Sequence, residues 1–167
     1  MTRIFLRKCR KAIVLLITIC TIFVSCNTLD VYEKNTSVPG YLWHYNFQPG
    51  FDFTITDTAA FYNIFIVLRH TDAYKKNNIW LNIGTQLPGN SMVRYQRVDL
   101  QLGNDAKGWE GTGMDDIWEV RKPLTNGPVQ FFKKPGQYHF TVAQIMRENP
   151  LPDVISVGLR VEKAITK

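Results

Sequence analysis

The sequence predicts an all-β protein built as an antiparallel β-sandwich, immunoglobulin-like or jelly-roll-like, with a closed barrel as the alternative. Three observations predict this class. Short stretches alternate apolar and polar residues, turn residues such as Pro-Gly and Asn-Gly separate them, and no apolar pattern of helical period is long enough to cross a sheet. We expect about eight or nine strands in two sheets, because sheets without helices bury their apolar faces on each other.

Each predicted element follows from its own pattern. Residues 62–69 (YNIFIVLR) are almost uniformly apolar, which is typical of a strand buried on both faces. The apolar phase slips between Tyr95 and Val98, which predicts a β-bulge because side chains alternate with a period of two. Residues 103–113 (GNDAKGWEGTG) are predicted to form a loop centred on Trp109, and residues 143–148 fit one helical turn. The other strands are predicted at residues 41–47, 51–55, 79–83, 93–102, 117–120, 129–132, 137–142 and 154–161.

The first 25 residues have the layout of a secretory signal peptide. Five basic residues lie in the first eleven positions, no acid appears before Asp30, and residues 12–24 are apolar apart from Thr18, Cys20 and Thr21. A membrane-spanning helix needs about 20 apolar residues, so this run is too short to form a regular transmembrane anchor. We therefore predict a removable leader.

The apolar run ends in residues 23–26 (FVSC), which resemble a bacterial lipobox. In such a sequence the cysteine thiol receives a diacylglyceryl group, the leader is cut before it, and the new amino terminus is acylated. We predict a lipoprotein signal peptide at 1–25, a lipidated Cys26 with a flexible tether at 26–40, and a β-sandwich domain at 41–167. No cofactor is expected besides the diacylglyceryl and N-acyl lipid on Cys26. The alternative is a secreted protein in which Cys26 is an incidental thiol.

Removal of the leader changes the charge of the chain. The remaining 142 residues keep 15 of the 20 basic residues and all 14 acids, so a net charge near +1 replaces +6. Nucleic-acid binding is excluded as a function class, because it needs a surplus of clustered Lys and Arg. Cys9 and Cys20 leave with the leader and Cys26 carries lipid, which also excludes disulfides, cysteine catalysis and cysteine-based zinc sites.

The polar residues give no catalytic or metal-binding pattern. His44, His70 and His139 are not spaced as metal ligands, and Asp115 and Asp116 are neighbours that a strand would point to opposite faces. The three serines of the mature chain are not in a nucleophile-elbow setting. We predict no metal site and no enzyme, although the sequence does not exclude a glycosidase with two facing carboxylates.

The aromatic residues suggest either core packing or a binding platform. Trp109 is the strongest candidate for contact with a partner, because a loop is an unusual place for a core residue. A glycan-binding protein that uses Trp109 and the Tyr41 and Trp43 region is the alternative function. The aromatic set comprises Tyr41, Trp43, Tyr45, Phe47, Trp80, Trp109 and Trp118.

Several segments, taken in order, resemble the gliding motility lipoprotein GldH family. The strongest is residues 135–151 (PGQYHFTVAQIMRENPL), which continues through Asp153 and residues 157–163 (VGLRVEK). The others are residues 55–58 (ITDT) leading into 62–69, Tyr74 with Asn78, residues 108–113 (GWEGTG) and the lipobox Cys26.

The resemblance implies a non-enzymatic outer-membrane lipoprotein that is a component or assembly factor of the gliding motility and associated type IX secretion machinery. Its expected partners are the membrane, through the lipid anchor, and other envelope proteins of that machinery. Only Cys26 carries over as a functional position. Because residues 27–30 lack an acidic cluster, the domain is expected to face the periplasm.

Three arginines lie within the family-like apolar segments, namely Arg69, Arg147 and Arg160. They are candidates for partner binding. The other interpretation, which we favour, is ion pairing inside the fold with neighbours such as Asp57 or Glu162.

Overall fold

The computed structural model describes residues 31–164, which form two packed antiparallel sheets with no α-helix in that range. The predicted signal peptide, Cys26 and residues 27–30 of the predicted tether lie outside the described residues. A 3-10 turn at Pro39–Tyr41 is the one helical element among them. The strands are β1 Val31–Ser37, β2 Leu42–Trp43, β3 Gly50–Ile55, β4 Tyr62–Thr71, β5 Asn78–Gln86, β6 Val93–Gln101, β7 Gly103–Asn104, β8 Gly108–Trp109, β9 Thr112–Met114, β10 Ile117–Pro123, β11 Gly136–Gln144, β12 Leu151–Pro152 and β13 Val154–Lys163.

The strand order is that of a jelly roll. One sheet runs β1-β13-β4-β10-β9 and the other β3-β11-β5-β6. When the eight main strands are counted along the chain, leaving out β2, β7, β8, β9 and β12, these orders read 1-8-3-6 and 2-7-4-5, the double Greek key of a jelly roll. An immunoglobulin fold would pair its first strand with its second. The predicted β-sandwich is confirmed, and the topology selects the jelly-roll form.

The two sheets enclose one aromatic-rich core. Phe53 is at its centre, with ring centroids 4.8–6.3 Å apart among the neighbouring aromatic side chains, a spacing at which aromatic pairs attract. β4 lies in the middle of the five-stranded sheet, and its Val67 is buried although it faces outward. The aromatic side chains around Phe53 are Tyr32, Phe132, Tyr138 and Phe140, with Phe131 next to Phe132 and Phe140.

Residues 31–37 correct the predicted tether. They form β1, which pairs with β13 from Val31↔Glu162 to Ser37↔Ser156. Tyr32 packs on Phe53, and Lys34, two residues further on the same side, donates to the Gly50 carbonyl, while Glu33 and Asn35 face outward. The prediction of a flexible segment is therefore wrong for these residues, because a polar strand at a sheet edge needs few apolar side chains to be held.

The sequence predicts a strand at residues 41–47, but only Leu42–Trp43, which is β2, forms one. Trp43 is fully buried, and its indole N–H donates to the Phe47 carbonyl at 2.8 Å. The chain turns at once, since the Phe47 N–H bonds the His44 carbonyl at 3.0 Å. The alternation of aromatic residues therefore marks a turn that wraps one buried tryptophan.

The predicted bulge in β6 is absent, because β5 and β6 pair without a break from Asn78↔Gln101 to Gln86↔Val93. Tyr95 faces outward beside Gly84, where an added Cβ would lie 3.1 Å from the tyrosine ring, and Val98 faces the core. The apolar residues thus occupy both faces of a regular strand. A register shift occurs instead in β13, between Val154 and Ser156.

Two further elements differ from the sequence prediction. Residues 129–132 do not form the predicted strand but only an isolated β-bridge between Val129 and Tyr62. Phe132 in this segment is buried in the core. Residues 145–150 are irregular, so the helical turn predicted at 143–148 is wrong. The predicted loop at 103–113 contains the short hairpin β7–β8 and the start of β9.

Different strands begin at the two ends of the sandwich. Val31 pairs with Glu162, which pairs with Asn63 near the start of β4, so β1 begins at the end of the sandwich where β4 begins. β5 starts at the opposite end, after the connection that follows β4. The ten residues of β4 make these ends about 33 Å apart. β6 is one of the two outer strands of its sheet, with β3 at the other edge, and Arg97 is the middle residue of β6.

Candidate functional site

The described residues contain no group of three or more His, Cys, Asp or Glu side chains placed to hold a metal ion. Between Val31 and Ala164 the structure also has no helix with the length and apolar character to cross a membrane. The described surface carries an ion-pair network, a tryptophan cluster and an open groove.

Arg160 is held by ion pairs on the outer face of the five-stranded sheet. Its guanidinium lies 2.6 Å from Glu33 on β1 and 2.7 Å from Glu162 on β13. The hydrogen bond from Arg160 lowers the pKa of the Glu33 carboxyl. Glu162 is one of the partners expected for an internal pair, so the charge of Arg160 is neutralised within the fold.

Arg69 is paired in the same way. It contacts Glu119 on the neighbouring strand β10 at 2.7 Å, and Glu119 also accepts from Arg121 at 3.0 Å. Arg121 reaches Glu33 at 3.7 Å, which joins the two groups of charges into one network. Asp57, the other partner expected, binds Lys163 instead. A shallow groove of about 720 Å³ lies beside Arg69, and its charged residues are already paired.

Trp109 packs within a small cluster at the end of the sandwich where β4 finishes. Its ring lies edge-on to His70, with 4.5 Å between centroids, and its indole N–H donates to Asp72 at 2.9 Å. The indole of Trp118 donates to the same carboxylate oxygen at 3.2 Å. The half-buried Trp109 therefore uses its polar group inside the protein. The fully buried Trp43 cannot contact a glycan, so that part of the alternative is wrong.

His70 is a buried titratable group in this cluster. Its Nδ1 lies 2.9 Å from the Thr71 carbonyl, while its Nε2 is buried without a hydrogen-bond partner. Burial lowers the pKa of this imidazole, against the opposing effects of the Thr71 carbonyl and Asp72. Burial thus disfavours the charged form of this ring in the folded protein.

We expect His70 to make the protein less stable in acid. Because its pKa is lower in the folded than in the unfolded state, its contribution is complete above about pH 6.5 and is lost as the pH falls toward the folded pKa. His70→Phe keeps the ring but cannot take up a proton, so urea denaturation between pH 7.5 and 4.5 should show a flatter loss of stability. His44→Phe, at an exposed position, should keep the wild-type loss. Equal slopes for all three proteins would contradict the assignment.

The open groove lies on the outer face of the four-stranded sheet, at the end away from Val31. Its volume is about 530 Å³, and Trp80, with 43% of its surface exposed, lies in it. In the pairing of β5 with β6, Trp80 lies opposite Asp99. Asn82, two residues after Trp80 on β5, lies opposite Arg97. The lining residues are Lys76, Asn78, Trp80, Arg97, Ile145, Met146, Arg147 and Glu148.

Hydrogen bonds hold one wall of this groove in place. The Ile145 N–H donates to the Trp80 carbonyl at 2.9 Å, and the Trp80 N–H contacts the Met146 sulfur at 3.1 Å. The buried Gln144 accepts from the Met146 N–H at 2.8 Å and donates to the Trp43 carbonyl at 3.1 Å. The irregular segment after β11 is therefore fixed, so the groove is largely formed without a ligand.

Two of the groove residues are candidates from the sequence, Arg147 for partner binding and Trp80 as a member of the aromatic set, whereas sequence reasoning missed Lys76 and Arg97. The signal for Trp80 is present in the sequence. In the alternation of Ile79, Trp80 and Leu81, the tryptophan falls on the outward side, where a large aromatic residue is unusual. The structure separates Arg147 from Arg69 and Arg160, which lie on the other sheet.

Comparisons with known proteins identify relatives over most of the chain. A family model described as GldH lipoprotein matches residues 30–161. Gliding motility lipoprotein GldH of Flavobacterium johnsoniae is 28% identical over 146 residues, covering 83% of this chain and 88% of the relative. A gliding motility lipoprotein GldH homolog of Christiangramia forsetii is 26% identical over 164 residues, covering 93% and 98%.

Solved structures give looser matches. A carbohydrate-binding module, CBM28, described as specific for non-crystalline cellulose, aligns over 78% of this chain and 69% of its own, with 15% identity and a TM-score of 0.40. The infectious bursal disease virus VP2 subviral particle aligns over 81% of this chain and 33% of its own, with 13% identity and a TM-score of 0.34.

Proposed function

Since this chain belongs to the GldH lipoprotein family, we propose that it is a non-enzymatic component or assembly factor of the gliding motility machinery and its associated type IX secretion. The observation that carries the proposal is the family match over residues 30–161, which covers almost all of the described domain. The two relatives are both named as gliding motility lipoproteins.

The proposed location is the outer membrane, with the domain in the periplasm and the lipid on Cys26 as its anchor. One acyl chain gives only marginal binding, whereas two or more give lasting attachment. Cys26 lies five residues before the start of β1, and five residues span at most about 18 Å. The anchor would hold the domain close to the leaflet, which raises its effective concentration toward other membrane-bound proteins.

A docking role is supported by the kind of surface that the domain presents. On the five-stranded sheet, the arginine and glutamate charges neutralise each other in ion pairs. The groove beside Trp80, by contrast, is open, and its apolar base is surrounded by cations that form no ion pair with the described residues. Such a surface suits a macromolecular partner, because exposed aromatic and arginine side chains are enriched at protein interfaces.

Co-purification tests this function. A tagged full-length protein, expressed from its own locus in a gliding bacterium, should recover other envelope proteins from detergent-solubilised membranes. Deletion of the gene should stop colony spreading and reduce secretion. The control is residues 1–40 fused to an unrelated soluble domain, which keeps the anchor and should recover no such partners. Recovery of the tagged protein alone, together with normal spreading and secretion in the deletion strain, would refute the proposal.

A further inference from the structure

We propose that the groove beside Trp80 binds an extended acidic peptide segment of a partner protein. Carboxylates of the segment would contact Lys76, Arg97 and Arg147, and an apolar side chain would lie on Trp80 and its neighbours. This inference rests on the proposed function and deepens it, because it names the chemistry of the partner that the domain would dock.

Charge is the first step of the argument. The groove is lined by three cations and a single acid, Glu148. None of the ion pairs found among residues 31–164 involves Lys76, Arg97 or Arg147. On the other sheet, Arg69, Arg121 and Arg160 are neutralised by glutamates. Free cations gathered around one groove favour an anionic partner, and arginine pairs with carboxylate in a bidentate manner.

The apolar part of the groove distinguishes a peptide from a sugar. Trp80, Ile145 and Met146 form a patch that an apolar side chain can cover, and methionine adapts to varied partners. A neutral sugar would leave Lys76, Arg97 and Arg147 without an anionic partner. The amide of Asn78 is already used, because it donates to Asp99 at 2.8 Å. The residues that line the groove therefore favour a ligand in which carboxylate and apolar side chains alternate, as they can in an extended peptide.

Position argues against lipid headgroups of the anchoring leaflet as the ligand. Val31 lies at one end of the sandwich, and the connection that carries Lys76 lies at the other. These ends are about 33 Å apart along β4. With the anchor attached before Val31, the groove lies near the end of the sandwich farther from the attachment point. A partner in the surrounding solution could reach it there.

Fluorescence anisotropy tests this proposal on the full-length lipidated protein in neutral detergent micelles. The probes are four labelled eight-residue peptides in which Glu alternates with Leu, Ile, Phe or Trp, and the same peptides with Gln in place of Glu. At least one acidic peptide should bind saturably and weaken as salt rises, whereas its Gln version should bind at least about tenfold more weakly.

Matched variants place the site. Arg97→Gln with Arg147→Gln, and separately Trp80→Ala, should each weaken binding about tenfold. Lys133→Gln with Lys134→Gln removes the same charge at the other end of the sandwich and should change binding less than twofold. Circular dichroism of each variant should match the wild type, because the altered side chains are not in the core.

Several results would overturn the proposal. They are no saturable binding by any of the four acidic peptides, equal weakening in the two double variants, and groove-dependent binding of alginate or phosphatidylglycerol vesicles in place of the peptides. These failures are distinct from failure of the proposed function. Partners that co-purify without any peptide binding would leave the function standing. Peptide binding without envelope partners would leave the groove assignment standing.

Discussion

A chain without the Cys26 thiol is expected to leave the membrane almost completely. In this variant Cys26→Ser is combined with the leader of a non-lipidated secreted protein in place of residues 1–25, so that cleavage does not depend on lipid transfer. Each buried methylene contributes about 0.8 kcal/mol to membrane binding, and the variant loses every acyl chain at once. Cell fractionation should place it in the soluble periplasmic fraction, and spreading should be lost because the domain is no longer concentrated at the membrane.

Cys20→Ser is the matched control. Cys20 lies in the predicted leader, so this variant should remain lipidated, membrane-bound and active. Mass spectrometry of the amino-terminal peptide should show acyl groups on Cys26 in the control and in the wild type. An unmodified Cys26 in the wild-type protein, or full spreading by the soluble variant, would refute the lipid anchor.

Trp43→Ala is expected to cost about 3–5 kcal/mol of folding free energy. Trp43 is fully buried, and its indole N–H donates to Phe47. Trp43 also pairs with Leu151 of β12, and its carbonyl accepts a hydrogen bond from Gln144. These contacts hold the segment between β1 and β3 against the residues that form one wall of the groove. A domain of this size has about 5–15 kcal/mol in total, so the loss is large enough to raise the unfolded population strongly.

Trp80→Ala removes the same side chain from an exposed position. Because 43% of Trp80 is already in contact with solvent, its loss should cost about 1 kcal/mol or less. Urea denaturation followed by circular dichroism compares the two variants. Similar midpoints would show that the burial of Trp43 does not control stability. The same Trp80 variant is the one expected to lose peptide binding, so binding and folding can be separated.

The sequence predicted the sandwich well because its central strands carry strong patterns. Residues 62–69 and 137–142 read as strands, and they are β4 and β11 in the interior of the two sheets. An interior strand must be apolar on at least one face, which leaves a clear signal. The edge strand β1 has no such need, since Glu33 on its outer side forms ion pairs, and its polar sequence therefore predicts a tether.

The groove was less predictable, because it joins residues that are distant along the chain. Trp80 and Arg97 become neighbours through the pairing of β5 with β6, and Arg147 reaches them through the segment after β11. The sequence marked Arg147 as a candidate together with Arg69 and Arg160. It could not show that glutamates on adjacent strands neutralise two of the three, because strand order decides which charges meet.

The exposed edge of β6 affects how closely neighbouring copies of the protein can approach one another. Lipoproteins confined to a leaflet meet side by side, and an unpaired strand edge is a template for polymerisation between neighbours. Arg97 is the middle residue of β6, so it would lie against its own counterpart in a parallel in-register pairing and in an antiparallel pairing of full overlap. Like charges directly opposite repel. In both of these pairings the two guanidinium groups would repel each other, so we expect Arg97 to disfavour polymerisation of neighbouring copies along β6.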